Sequence, residues 1–125
     1  MRTARIALDG QEHLLCFSLR VIRQMVERYG ALEQMDAQVT TEDEIHNLGE
    51  ALWQLAAMME AGDRYAKRHG IDNPAPLDVE ALYDLCGIAD LAVLRAKVRE
   101  SVRSGSAATV EAEFPPNAGA TQGAP

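Results

Sequence analysis

The stretch RIALDGQEHLLCF, residues 5–17, decides how this chain begins. Asp9-Gly10 stands between two runs that carry apolar residues at alternate positions. Asp-Gly is a favoured two-residue hairpin turn, because both central positions of a type I′ turn need positive φ. The pattern predicts strand one over 3–8, with Ala4, Ile6 and Leu8 on one face and Arg5 on the other. Strand two is expected over 12–17. There Leu14 and Cys16 share one face and His13, Leu15 and Phe17 the other, so both faces hold apolar surface.

Downstream of the hairpin the spacing turns helical. Ser18 is an N-cap candidate for a first helix whose stripe is Leu19, Ile22, Met25, Val26 and Tyr29, with Gly30 as its stop. Residues 31–35 suit one further short turn. Thr41 and Glu44 fit a capping box for the longest helix, and Glu42 and Asp43 suit its positive start. Ile45, Leu48, Leu52, Leu55 and Met59 form its stripe, Gly49 and Ala56 lie beside it, and Trp53 flanks it. Gly62 is a point of interruption, after which DRYAKRHG (63–70) carries the helix to a glycine stop. IDNPAPL (71–77) reads as a loop, since its two prolines preclude regular helix. A third helix is expected over 78–86 with Val79, Leu82 and Tyr83 inward. A fourth, capped by Asp90, runs to about Arg103 along Leu91, Leu94, Val98 and Val102.

The fold class is therefore mainly α: an N-terminal β-hairpin followed by a small bundle of about four helices over 1–103, and a disordered tail over 104–125. Sixteen of those 22 tail residues are Ala, Gly, Pro, Ser or Thr, too little apolar surface to offset the entropy of ordering them. Phe114, just before Pro115-Pro116, is the tail's only aromatic residue and marks a short docking motif as the alternative to a plain tail.

The chain has 125 residues, 47% of them hydrophobic, and a formal net charge of −7. That balance argues against a nucleic-acid binder, which neutralises phosphates with Lys and Arg, and against an anionic membrane surface. No apolar run approaches the ~18–20 residues of a membrane span or the core of a signal peptide. Cys16 and Cys86 lack metal-type spacing and read as reduced thiols of a cytoplasmic protein. Charge is uneven: 31–62 holds seven acids and no Lys or Arg, whereas 91–103 holds Arg95, Lys97, Arg99 and Arg103 against one acid. These blocks are solvated helix faces or complementary ends that meet between copies or with a partner.

Residues for catalysis are not assembled in any recognisable pattern. His13, His46 and His69 fall in separate elements; His46 and Glu50 stand one helical turn apart, which reads as a surface contact. No phosphate-binding or nucleophile motif occurs. No enzyme activity, metal or cofactor is expected. A helix-turn-helix over 78–103 would place its basic residues toward the end of the last helix, whereas a recognition helix reads bases from its start. The reading that remains is protein interaction. An isolated hairpin is marginal alone and has two edges, one of them free to pair with a client or a second copy. The candidate contact residues are Arg5, Ile6, Leu8, Leu15, Phe17, Trp53 and Tyr65.

In order and spacing, IALDGQEHLLCFSLRVIRQMVERYGAL resembles the start of the tail assembly chaperones of long-tailed bacteriophages, prophages and related gene transfer agents. The residues that carry this are Leu8, Asp9, Gly10, Phe17, Ser18, Leu19, Glu27, Tyr29 and Gly30. EAGDRYAKRHGIDNPAPLDVEALYDL is similar to that family's second half, and DLAVLRAKVRESV to its closing helix, so the resemblance covers about 6–102. It implies a small cytoplasmic helical protein that binds the tape measure protein, and often tail tube subunits, before the tube polymerises. In many phages a ribosomal frameshift adds a second domain, and the segment from Ser104 would serve either as a free tail or as the linker to it. The alternatives are a small acidic helical adaptor and, third, a DNA-binding repressor.

Overall fold

The computed structural model describes residues 2–107 and residue 109. Among them the chain forms a two-stranded antiparallel sheet, β1 (Ala4–Leu8) and β2 (Gln11–Leu15). Five α-helices follow: α1 (Leu19–Tyr29), α2 (Gln34–Ala37), α3 (Glu44–His69), α4 (Val79–Leu85) and α5 (Leu91–Gly105). A single 3₁₀ turn, Ile88–Asp90, leads into α5. The fold is the expected hairpin followed by a mainly helical body, with the short turn after Gly30 becoming α2.

The hairpin turn is as its residues require: Asp9 at φ 50° and Gly10 at φ 76° close a register that pairs Leu8 with Gln11, Ile6 with His13 and Ala4 with Leu15. The body is organised by α3. Its 26 residues span roughly 39 Å at the α-helical rise. From Ala51 to Asp63 it is buried on nearly every side, because β2, α1, α4 and α5 all pack on it. Gly62 does not interrupt it. A side chain there would run into the backbone carbonyl of Leu14, so the glycine is what lets helix and strand touch. Four residues earlier the Met58 carbonyl accepts the Cys16 N–H at 3.1 Å, fixing the end of β2 to the helix.

Several predicted boundaries and faces shift. The N-cap of α3 is Asp43, whose carboxylate accepts from the Ile45 and His46 N–H groups, both at 3.1 Å. Thr41 is committed elsewhere: its hydroxyl donates to Asn47 Oδ1 at 2.6 Å, and Asn47 Nδ2 returns a bond to the Thr41 carbonyl at 2.8 Å. Ile45 stands 67% exposed, since the first turn of α3 projects past its neighbours. On α1 the covered face runs through Val21 and Met25, while Leu19 is 82% exposed and Val26 also faces solvent. This helix touches α3 and α2 along one narrow line, so the wide stripe read from the sequence is only half used. Tyr83 is exposed too, but its hydroxyl lies over Gly49 of α3, where a Cβ would stand 2.5 Å away. The last helix continues two residues past Arg103, with Gly105 seated against Phe17. The remainder of the predicted disordered tail lies, apart from Ser106, Ala107 and Thr109, outside the described residues.

Candidate protein-interaction surfaces

The two edges of the hairpin are unlike. In β2 the Leu14 N–H donates to Asn73 Oδ1 at 2.8 Å, and the Cys16 N–H to the Met58 carbonyl. Those two amides therefore point away from β1, and the antiparallel alternation turns the backbone groups of Ala4, Ile6 and Leu8 inward and those of Arg5 and Ala7 outward. The outer edge of β2 is occupied at Leu14 by the 71–77 loop and just past the strand, at Cys16, by α3. The outer edge of β1 has no backbone partner at Arg5 or Ala7 among the described residues. Arg5 is exposed and pairs with Glu12 on the open face of the hairpin at 3.3 Å.

The other expected contact residues are placed differently. Ile6, Leu15 and Phe17 are not surface groups: each is in the hydrophobic core. The reason is that the hairpin is packed by two helices, α3 against β2 and α5 against β1, and Gly105 of α5 sits on Phe17 just past the end of β2, so these apolar side chains are not left for a client. Leu8 is half-buried against the same core. Tyr65 is half-buried on α3, its ring 4.1 Å from that of His69. Trp53 belongs to a polar cluster joining α1 to α3. The Arg28 guanidinium lies over its ring at 4.3 Å and forms two 2.9 Å bonds to the Glu50 carboxylate. The Tyr29 hydroxyl donates to Glu50 at 2.7 Å and accepts from Gln54 Nε2 at 3.1 Å. The hydrogen bond from Arg28 holds the Glu50 carboxyl below its usual range, and burial together with that carboxylate pushes the Tyr29 hydroxyl up to about 12. Glu50 is thus taken by Arg28, and His46 pairs with Gln38 Oε1 at 2.8 Å, so the expected His46–Glu50 contact does not form. The bidentate charge-assisted pair is the stronger of the two options.

A second surface was not legible in the sequence. An apolar groove of about 360 Å³ runs between α2 and α5. Phe17 forms one wall, Leu32, Met35 and Val39 another, Val98 and Val102 the third, and Ala51 and Gln54 the floor. Arg95, Arg99 and Arg103 stand along its α5 rim, one helical turn apart, with Glu33 and Asp36 opposite. Arg99 bonds to Asp36 at 2.8 Å and Arg95 to the Val39 carbonyl at 2.8 Å. At those two arginines the basic block meets the acidic half inside one molecule. The i, i+4, i+8 spacing of the arginines was visible, but which face of α5 would be covered was not.

Among the described residues no three His, Cys, Asp or Glu side chains are grouped to hold a metal, and no helix is long and apolar enough to cross a membrane. Compared with known family models, with curated proteins and with solved structures, the chain finds no match in any of the three.

Proposed function

We propose that this chain is a tail assembly chaperone of the long-tailed phage type, which holds an unassembled tape measure protein, with tail tube subunits as a second client, and performs no chemistry. The reading is supported by the ordered resemblance over 6–102. The observation that carries it is the asymmetry of the hairpin: the β2 edge is engaged toward its end by the protein's own loop and helix, and the β1 edge, at Arg5 and Ala7, offers two N–H and two C=O groups to an extended segment. Strand addition needs that and no more, because main-chain hydrogen bonds supply the attachment. The body behind the edge is tied to α3 and holds it in place without a partner.

Co-expression with a tape measure chain of a long-tailed phage tests the class, and Ala7→Pro tests the edge. Proline at Ala7 removes an outward N–H and is tolerated at an edge position, whereas at Ile6 it would break the β1–β2 ladder itself. The expected result is co-purification of the two chains and about a tenfold loss of affinity in the Ala7→Pro variant, the worth of roughly one hydrogen bond. Full affinity in a variant whose circular dichroism is unchanged moves the contact off β1. Absence of any complex with the wild-type chain overturns the class.

A further inference from the structure

The open edge of β1 fits a second copy of itself. Only Arg5 and Ala7 turn their backbone groups outward, one on each side of Ile6. Neither has a backbone partner among the described residues, and no proline or bulge interrupts the strand. The side chains of Arg5, Ala7 and Glu12 are all exposed on the same face of the hairpin.

Antiparallel pairing of two such edges is restricted to one register. Outward groups must oppose outward groups, so the centre of symmetry falls at Arg5, Ile6 or Ala7. Centring on Arg5 sets two guanidinium groups directly opposite each other, which is destabilising. Centring on Ala7 brings Arg5 against Asp9 of the other copy, where φ is 50° and the chain has already turned back toward β2, so a single residue pair bonds. Centring on Ile6 sets Arg5 against Ala7 in both directions. Each of these two residue pairs exchanges both of its N–H···O=C bonds, and every outward group of both copies is used. The product is one continuous sheet in the order β2–β1 and, from the second copy, β1–β2.

The side chains agree with that register. Ala7 is small and uncharged, so it leaves room for the long Arg5 side chain of the second copy. Beyond Ala7, about 9.6 Å from Arg5 at two strand spacings, stands Glu12, the ladder partner of Ala7. Arg5 already bonds to Glu12 of its own chain at 3.3 Å, so in the pair each guanidinium has a carboxylate within reach on either side. On the opposite face Ile6 meets Ile6, a β-branched cross-strand pair.

We propose that two copies of this chain pair through β1, antiparallel and centred on Ile6, and that a client strand takes the place of the second copy. The inference rests on the open edge that carries the client reading and adds what covers that edge before a client arrives. A contact of one short strand pair lies well below the roughly 1,200 Å² of a stable interface. Each copy also carries a net charge of −7, so the pair is weak, strengthens with salt and can be displaced.

The test uses the full chain alone, by sedimentation velocity and by amide hydrogen exchange read by NMR at micromolar and millimolar protein. A dimer is expected to form as the concentration rises. Exchange at the Arg5 and Ala7 amides should then slow by the ratio of dimer to monomer, roughly tenfold at millimolar protein. The Ile6 and Leu8 amides, bonded to β2, stay protected at both concentrations and report the intact hairpin. Ala7→Glu sets a carboxylate against Arg5 of the second copy and should tighten the dimer about fivefold, and Ala7→Lys should loosen it as much. Arg5→Glu added to Ala7→Lys should restore it. A chain that stays monomeric at millimolar concentration overturns the proposal and leaves the client reading standing. A dimer whose Arg5 and Ala7 amides exchange as fast as in the monomer overturns it by placing the interface elsewhere. Loosening by both Ala7 variants alike overturns the register. Self-pairing without any tape measure complex, in contrast, supports the proposal while the client reading falls.

Discussion

His13 lies on the strand where the sequence places it, and its surroundings there set its chemistry. It sits opposite Ile6 in the hairpin, fully buried, and neither ring nitrogen has a hydrogen-bond partner among the described residues. Burial lowers its pKa below the ordinary 6.5, because the charged ring cannot be solvated there. In the unfolded chain it titrates near 6.5 and in the fold at a lower pH, so the unfolded state binds more protons between the two values. Stability is therefore full above about pH 6.5 and falls as the pH drops toward the folded pKa, by at most about 1.4 kcal/mol per pH unit. Urea midpoints measured from pH 7.5 to 5 should decline across that range, and His13→Leu should remove this part of the decline. An equally steep profile in His13→Leu would mean that groups other than His13 carry it.

The elements owe their ends to local chemistry and their contacts to each other. Asp43 outcompetes Thr41 as the cap of α3 because a carboxylate meets two N–H groups at the positive end of a helix, while Thr41 is held by Asn47. The hairpin turn, the Gly30 stop and the proline loop could all be placed from sequence, since each depends on the residue itself. The engaged edge of β2 could not: Asn73 reaches Leu14 across 59 positions, and nothing near either residue announces the other. The crossing of α3 over β2 makes a sharp prediction. Gly62→Ala should cost about 3 kcal/mol, the upper end for overpacking against backbone that has little room to shift. Chemical denaturation that places this variant within 0.5 kcal/mol of wild type (roughly the scatter of a neutral surface substitution) would show that the helix does not sit on the strand.

At the scale of the whole molecule, the acidic segment around α2 and the basic helix α5 are brought together along the groove. Their two links differ in kind. The Arg99–Asp36 pair is more than half exposed on both sides and is worth at most about 1 kcal/mol, screened by salt. Arg95 to the Val39 carbonyl is partly buried and charge-assisted, worth about 1.5–3 kcal/mol. Arg95→Met should thus destabilise more than Arg99→Gln, and only the second effect should fade in 1 M salt; thermal melts at two salt concentrations separate them. The groove itself, and the burial of Ile6, Leu15 and Phe17, were beyond sequence reading, because alternation shows that a strand has two faces but not how many neighbours arrive to cover them. What the amino-acid order determined alone was the hairpin, the succession of helices and the chain's acidic balance, all properties set within a few residues or by simple composition. Which faces became core, which strand edge stayed open and where a groove formed were decided by helix α3 gathering β2, α4 and α5 around itself, since burial depends on what lies nearby in space rather than along the chain.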